Sequence, residues 1–225
     1  MTIGNVLREA FAVYLRSLSR FVLTAAAVFV FVDLLGAIAI DARGESRGVA
    51  VVWGVISLLV GVLGAFWVQG TLVATVQNIR SGKTDATIGD VYDSVRPRLP
   101  ALIGAGIFGG VAIALGLVLF VVPGLLLLTR WSLVAPVIVI EGRPARQAFL
   151  RSMELVRGNG WTVFGVILAT LLIAIVAHSI LVSAFSFLPD FVANWAGGTL
   201  ADSFVAPFVA LSWTVMYFRL SEKKT

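Results

Sequence analysis

Residues that could do chemistry are scarce in this chain. Its 225 residues include a single histidine, His178, and no cysteine, which excludes disulfides, thiolate metal sites and cysteine nucleophiles. The sequence has no HExxH, GxSxG or Walker-type GxxxxGK[ST] motif, the patterns typical of zinc proteases, α/β hydrolases and P-loop NTPases. A lone histidine is more often a hydrogen-bonded packing residue than a catalyst. We therefore predict that the chain is not an enzyme and has no metal or cofactor.

Three polar residues, Asp33, Gln69 and Arg130, interrupt long apolar runs. Asp33 lies eight residues before Asp41, and Arg130 lies eight residues after Val122. At about 1.5 Å per helical residue, both charges are then about 12 Å from the same membrane face. A charge at the bilayer centre costs about 2.5–3.5 kcal/mol on insertion scales, so it should face a partner or water. We predict that Asp33 and Arg130 pair, with Gln69 as a third member, either to fix helix register or to contact a ligand.

The elements that position these residues are membrane spans. The chain is 59% hydrophobic and 13% charged, whereas a soluble domain has about 25% charged residues. About 20 apolar residues in a helix cross a bilayer core. The composition therefore predicts an all-α, polytopic membrane helix bundle that forms one domain over residues 1–225. Its six spans are expected near 21–40, 49–77, 101–122, 124–140, 161–188 and 204–219, with the third and fourth in a tight hairpin.

The distribution of lysine and arginine predicts the orientation. Only Arg43 and Arg47 lie outside the spans on one side. This bias places both termini in the cytoplasm, with the chain in the inner membrane of the cell. The net charge of +5 then indicates contact with anionic lipid headgroups rather than nucleic acid. The other side carries Arg8, Arg16, Arg20, Arg80, Lys83, Arg96, Arg98, Arg143, Arg146, Arg151, Arg157, Arg219, Lys223 and Lys224.

Three segments between the spans have the pattern of amphipathic helices on the cytoplasmic surface, at 2–21, 87–102 and 144–159. The first two open on the near-identical TIGNV and TIGDV, and each segment precedes two spans. The chain therefore fits three repeats of one surface helix and two spans, although reused basic linkers would give the same pattern.

Small residues at four-residue spacing predict close helix packing inside the spans. One set lies in the second span and the other in the third. The residues are Ser57, Gly61 and Ala65 in the second span and Gly106, Gly110 and Ala114 in the third.

The block from Pro123 to Leu168 resembles the membrane domain of bacterial glycerophosphoryl diester phosphodiesterases and related uncharacterised six-helix membrane proteins. The resemblance implies architecture rather than chemistry, because catalysis in those phosphodiesterases belongs to a separate soluble barrel. We expect no such barrel here. The residues that carry the resemblance are Pro123, Gly124, Arg130, Trp131, Pro136, Glu141, Gly142, Ala148, Ser152, Gly158, Asn159 and Trp161.

Two functions stay open on the sequence alone. The first is a non-enzymatic membrane factor that binds lipid, a partner protein or a second copy of itself. The second is a small transporter or channel, in which the intramembrane polar residues Asp33, Gln69, Arg130 and His178 would line a path. A polar cavity that reaches Asp33 and Arg130 would favour transport.

Overall fold

The computed structural model describes residues 2–44, 46–82 and 87–223, and all regular structure in these ranges is helical. Short 3₁₀ turns at Ala42–Gly44 and Arg96–Arg98 and a π-helical turn at Ala193–Gly197 connect some of the helices. The α-helices are α1 (Ile3–Arg16), α2 (Leu18–Asp41), α3 (Arg47–Arg80), α4 (Ile88–Val95), α5 (Leu99–Leu119), α6 (Val121–Trp131), α7 (Val134–Glu141), α8 (Ala145–Val156), α9 (Gly160–Ser183), α10 (Asp190–Val192) and α11 (Gly198–Glu222).

Within the described ranges, six helical segments are long and apolar enough to cross a membrane. They are α2, α3, α4 with α5, α6 with α7, α9, and α10 with α11. This confirms the predicted all-α, six-span fold. The sixth span begins earlier than expected, because α11 starts at Gly198 rather than near residue 204, and this brings Asp202 into the helix.

Both ends of the described chain lie at one end of the bundle, because an even number of spans returns the chain to the side where it began. Ion pairs hold them there: Arg219 Nε is 2.8 Å from Glu9 Oε2, and Arg80 Nη2 is 3.2 Å from Glu222 Oε1. We call this the basic end, since it carries Arg16, Arg80, Arg143, Arg157 and Arg219. The other end, at the close of α2 and the start of α11, is the opposite end.

The fourth span is broken between α6 and α7. Pro136 lies in the first turn of α7 and has no N–H to donate to the carbonyl of Ser132, four residues earlier, so the helix is not continuous there. Leu133, at the break, has φ −96° and ψ 8°. The predicted span 124–140 therefore consists of two helices, and Arg130 lies in the last turn of the first one, α6.

Helices α5 and α6 form the predicted tight hairpin, with Phe120 as the only residue between them. Two glycines permit the close approach. A methyl group at Gly124 would lie 2.5 Å from the backbone nitrogen of Leu117, and one at Gly116 would lie 3.0 Å from Gly124 Cα. The tip of the hairpin, Val118 to Val122, is largely exposed, as expected for a surface in contact with lipid.

The small residues pack only in part as predicted. A methyl group at Gly106 would overlap the ring of Phe66, and one at Gly61 would contact Val32 at 3.9 Å. Ser57 Oγ is likewise 3.9 Å from the position of a methyl group on Gly36, in α2. The expectation was wrong for the other members of the two sets, which face outward: Ala65, Gly110 and Ala114 are exposed.

The three predicted surface segments contain the short helices α1, α4 and α8. Helices α1 and α8 each precede two spans, whereas α4 leads through a 3₁₀ turn into α5 and belongs to the third span. Helix α1 buries Val6, Ala10 and Tyr14 against α9 and α11 and exposes Phe11 and Leu15. This element order fits the repeat hypothesis, which remains a prediction. The buried residues of the other two are Val91 and Val95 in α4 and Ala148, Ser152, Leu155 and Val156 in α8.

Candidate functional site

A groove of about 920 Å³ lies between α6, the end of α8 and the start of α9. Its wall on α6 is apolar and includes Val122, Leu125 and Leu126. Arg130 and Arg157 lie on the groove as well. No aspartate or glutamate is among the described residues that line it. The groove therefore combines an apolar strip with positive charge.

The two arginines have no counter-charge in the described part of the chain. Both are exposed, and neither takes part in an ion pair there. A guanidinium presents a planar fork of N–H donors that matches carboxylate or phosphate oxygens. Arg130 and Arg157 are therefore available to bind an anion in the groove.

The start of α9 adds further donors. The backbone N–H groups in the first turn of a helix have no intrahelical acceptor, and this end of the helix carries partial positive charge. Gly160, Trp161 and Thr162 in that turn line the groove. The preceding Asn159 also lines it, and its side chain makes no capping hydrogen bond. Trp161 is 88% exposed, as is typical of tryptophan at a membrane interface.

Local structure around Gly158 brings Arg157 to the start of α9. Helix α8 ends at Val156, and Gly158 has φ +85°, in the left-handed region that glycine adopts without strain. The chain therefore turns sharply there, and Arg157 and Asn159 line the same groove on either side of the turn.

Ser152, on α8, holds the backbone of Arg130 in place through a hydrogen bond. Its side chain is completely buried, and Oγ donates to the carbonyl oxygen of Arg130 at 2.7 Å and accepts from the N–H of Leu133 at 3.2 Å. Both backbone groups lie at the break in the fourth span, where regular helical partners are missing. Since Arg157 directly follows α8, one surface helix sets the positions of both arginines.

Trp131 and Gln69 face a different cavity from Arg130. This cavity, of about 240 Å³, lies between α3, α5 and α7 and is also lined by Phe149. Trp131 packs edge to face on Phe149, with ring centroids 4.8 Å apart. The prediction that Gln69 joins Asp33 and Arg130 was therefore wrong: consecutive residues of a helix point about 100° apart, and Gln69 shares its cavity with Trp131 rather than with Arg130.

Glu141, at the end of α7, is a hydrogen-bond hub at the basic end. Its carboxylate accepts from Arg143 Nε at 2.6 Å, from Arg151 Nε at 3.3 Å and from the hydroxyl of Tyr217 at 2.9 Å. Arg151 also donates to Glu154, and this bond and the contact with Glu141 raise the pKa of Arg151. The hub joins α7, α8 and α11, and the arginines around it are paired.

Asp33 lies elsewhere, toward the opposite end. It packs where α2 meets α11: a methyl group at Gly198 would lie 3.7 Å from Asp33 Cγ. Asp33 Oδ2 and the hydroxyl of Thr199 are both buried, and neither has a hydrogen-bond partner among the described residues. No ion pair joins Asp33 to Arg130 in the ranges 2–44 and 87–223. The predicted pair was wrong, because Arg130 is held beside α8 and the start of α9.

His178 does have a carboxylate partner. Its Nδ1 is 3.1 Å from Asp202 Oδ1 on α11, and Asp202 lies one helical turn after Gly198, the residue that packs against Asp33. Asp33, Asp202 and His178 thus form a loose polar cluster, in which the side chains of His178 and Asp202 are 42% and 34% exposed. No group of three His, Cys, Asp or Glu side chains close enough to hold a metal ion occurs among the described residues.

A match to a known protein family confirms the resemblance that the sequence predicted. Residues 96–220, more than half of the chain, match the membrane domain of glycerophosphoryl diester phosphodiesterase. The chain belongs to this membrane-domain family. The match extends from the turn before α5 almost to the end of α11, and so includes the whole groove. Comparisons with curated proteins and with solved structures find no match.

The residues that carry the resemblance to this membrane-domain family fall into two groups. Some line the groove, and the others hold the helices around it. Arg130, Gly158, Asn159 and Trp161 belong to the first group. The second consists of Pro123 and Gly124 at the start of α6, Trp131 at its end, Pro136 and Glu141 in α7, Gly142 at its left-handed C-terminus, and Ala148 and Ser152 in α8.

Sequence reasoning missed two residues of these sites. Arg157 was expected on the polar side of the surface segment 144–159, although its position just before Gly158 and Asn159 indicated a turn into a helix N-terminus. Asp202 was placed outside the sixth span, because the apolar run begins after it. Asp202 lies four residues, about one helical turn, from both Gly198 and Ala206, and this spacing could have extended that helix backward.

Proposed function

We propose that this membrane domain is a non-enzymatic integral membrane factor that binds anionic lipid at its basic end. The groove between α6, α8 and α9 carries the proposal, because it combines two unpaired arginines with an apolar wall and opens to the outside of the bundle. Each lysine or arginine near a bilayer surface attracts anionic headgroups by about 1 kcal/mol. A lipid would satisfy both parts of the groove at once.

We further propose that the basic end faces the cytoplasm and that the chain resides in the inner membrane, with both termini inside. The support is the lysine and arginine bias, although Lys83 and Lys224 in that count lie outside the described residues. The absence of cysteine permits a clean test. Membrane-impermeant maleimide added to intact cells should label Ser186→Cys, at the opposite end, and not Gln147→Cys on α8. The reverse pattern would overturn the orientation.

Mass spectrometry of molecules retained after gentle detergent extraction tests the lipid-binding proposal. We expect anionic lipid to be enriched over its share in the bulk membrane. Retention of lipid in bulk proportions would contradict the proposal. Stoichiometric recovery of another protein or of a second copy of the chain, without enriched lipid, would favour a scaffold.

A small transporter is the second candidate, and the cluster of Asp33, Asp202 and His178 is the observation that favours it. Ionisable residues inside a membrane often line ion or proton pathways. Purified protein in liposomes that carry a pH-sensitive dye would then show proton flux, and Asp33→Asn would abolish it. Equal flux in liposomes with and without protein contradicts this candidate.

A further inference from the structure

We infer that the groove of Arg130 and Arg157 is a site for a lipid whose headgroup ends in a phosphate monoester. The inference rests on the proposed lipid-binding function and names the class of lipid. The phosphate would lie among the two guanidinium groups and the first turn of α9. An acyl chain would follow the strip of Val122, Leu125 and Leu126 on α6.

The charge of the groove selects the phosphate. Two guanidinium groups line it without any carboxylate among the described lining residues, and a cation without a counter-charge at the bilayer is costly. A phosphodiester headgroup supplies one negative charge, whereas a phosphate monoester carries about −1.5 to −2 at pH 7. A single phosphodiester therefore leaves one arginine unbalanced, whereas a single phosphate monoester balances both. Its three terminal oxygens also accept from more than one guanidinium fork.

The neighbouring groups fit the same ligand. The side chain of Asn159 lines the groove and makes no capping hydrogen bond to α9. The first-turn amides of α9 support a negative group, because the dipole of this 24-residue helix places partial positive charge there. The apolar wall belongs to α6, whose Leu126 is 52% exposed. This wall commits the site to a lipid from the bilayer rather than to free phosphate.

The position of Arg130 also follows from this assignment. The backbone of Arg130 is held by Ser152 at 2.7 Å, while its guanidinium has no ion-pair partner in the described ranges. A helix register device would need a protein partner for the charge. A ligand phosphate supplies that partner and accounts for an arginine in an apolar run.

Native mass spectrometry of the detergent-purified full chain tests the site. The protein is titrated with dioleoyl phosphatidate, phosphatidylglycerol and phosphatidylcholine, which share acyl chains and differ in headgroup. We expect phosphatidate to bind at least about tenfold more tightly than phosphatidylglycerol, and Arg130→Gln and Arg157→Gln each to lose about tenfold or more, since a charged hydrogen bond contributes about 1.5–3 kcal/mol. Arg146→Gln is the matched control, because Arg146 is exposed on α8 but does not line the groove.

The outcomes separate the site from the general function. Equal binding of phosphatidate and phosphatidylglycerol would contradict the phosphate monoester and leave lipid binding intact, whereas retention of no lipid would contradict both. An equal loss in Arg146→Gln would show unspecific charge attraction and overturn the groove. Displacement of bound phosphatidate by equimolar inorganic phosphate would show that the groove binds free phosphate, and would contradict a lipid as its ligand. Thermal melting checks folding, and Arg157→Gln, at an exposed turn, tests the site if Arg130→Gln does not fold.

Discussion

Ser152 on α8 is hydrogen-bonded to the backbone on both sides of the break in the fourth span. Its hydroxyl donates to the carbonyl of Arg130 at 2.7 Å and accepts from the N–H of Leu133 at 3.2 Å. A helix that the sequence presents as a surface element therefore completes the hydrogen bonding of a membrane span. The groove beside it depends on this contact, because the same helix leads directly into Arg157.

Replacing Ser152 by alanine should destabilise the protein by about 1–3 kcal/mol, because two backbone groups at a buried position lose their partner. The measurement is the free energy of unfolding by SDS titration in detergent micelles. Ser94→Ala is the control, since the hydroxyl of Ser94 is exposed and bonds only Val91 in its own helix. Equal stability of the two variants would show that Ser152 does not support the break.

The six spans could be predicted because they depend on local properties. A run of about 20 apolar residues crosses a bilayer whatever its neighbours are. In the second half of the chain, the block from Pro123 to Leu168 also predicted the six-helix architecture through its resemblance to the family. The pairing of Asp33 with Arg130 depended instead on the straightness of the fourth span. Pro136 indicated a break in the sequence, but the position of Arg130 at the end of α6 depended on a contact with Ser152, on another helix.

It was equally hard to predict which small residues point toward other helices and which point outward. Helix α5 is apolar on all sides, so its sequence has no polar face that indicates its orientation. Gly106 and Gly110 are therefore equivalent in the sequence, yet a methyl group at Gly106 overlaps Phe66 and one at Gly110 meets open space. Only the tertiary structure distinguishes the packed residue from the one that faces outward.

Gly124→Ala should destabilise the α5–α6 hairpin by about 1–3 kcal/mol, the usual effect of overpacking. The added methyl group would lie 2.5 Å from the backbone nitrogen of Leu117, and a backbone atom cannot rotate away. Gly110→Ala is matched in chemistry but has open space, so it should be neutral or stabilising by up to about 1 kcal/mol through helix propensity. Thermal melting in detergent compares the two, and a wild-type melting temperature for Gly124→Ala would refute the tight hairpin.

Double-mutant cycles should distinguish the observed polar pair from the one expected from the sequence. His178→Gln and Asp202→Asn should show a coupling of about 0.5 kcal/mol or more, because the two side chains are in contact, whereas Asp33→Asn and Arg130→Gln should add within about 0.3–0.5 kcal/mol. Unfolding free energies of the single and double variants supply both cycles. Strong coupling between Asp33 and Arg130 would restore the original pairing and contradict the structure.

Tyr14 should give the protein a pH-dependent contribution to stability in the alkaline range. Its hydroxyl donates to the carbonyl of Phe204 at 2.8 Å, and burial raises its pKa to about 12, from an ordinary value of 10.0. A group with a raised pKa in the folded state stabilises that state fully below its unfolded pKa and loses this effect as the pH rises through its folded pKa. The contribution of Tyr14 should therefore be constant below pH 10 and decline between about pH 10 and 12.

The variant Tyr14→Phe isolates this effect, because phenylalanine keeps the ring contacts with Phe21 and Phe208 and cannot ionise. Below pH 10 it should be less stable than the wild type by about 0.5–1.5 kcal/mol, the contribution of one hydrogen bond. Above pH 10 the difference should shrink and reverse, since a shift of about two pKa units corresponds to roughly 2–3 kcal/mol. Unfolding free energies of both proteins at pH 8, 10, 11 and 12 measure the difference. A difference that stays constant across this range would show that the Tyr14 hydroxyl is not buried against α11.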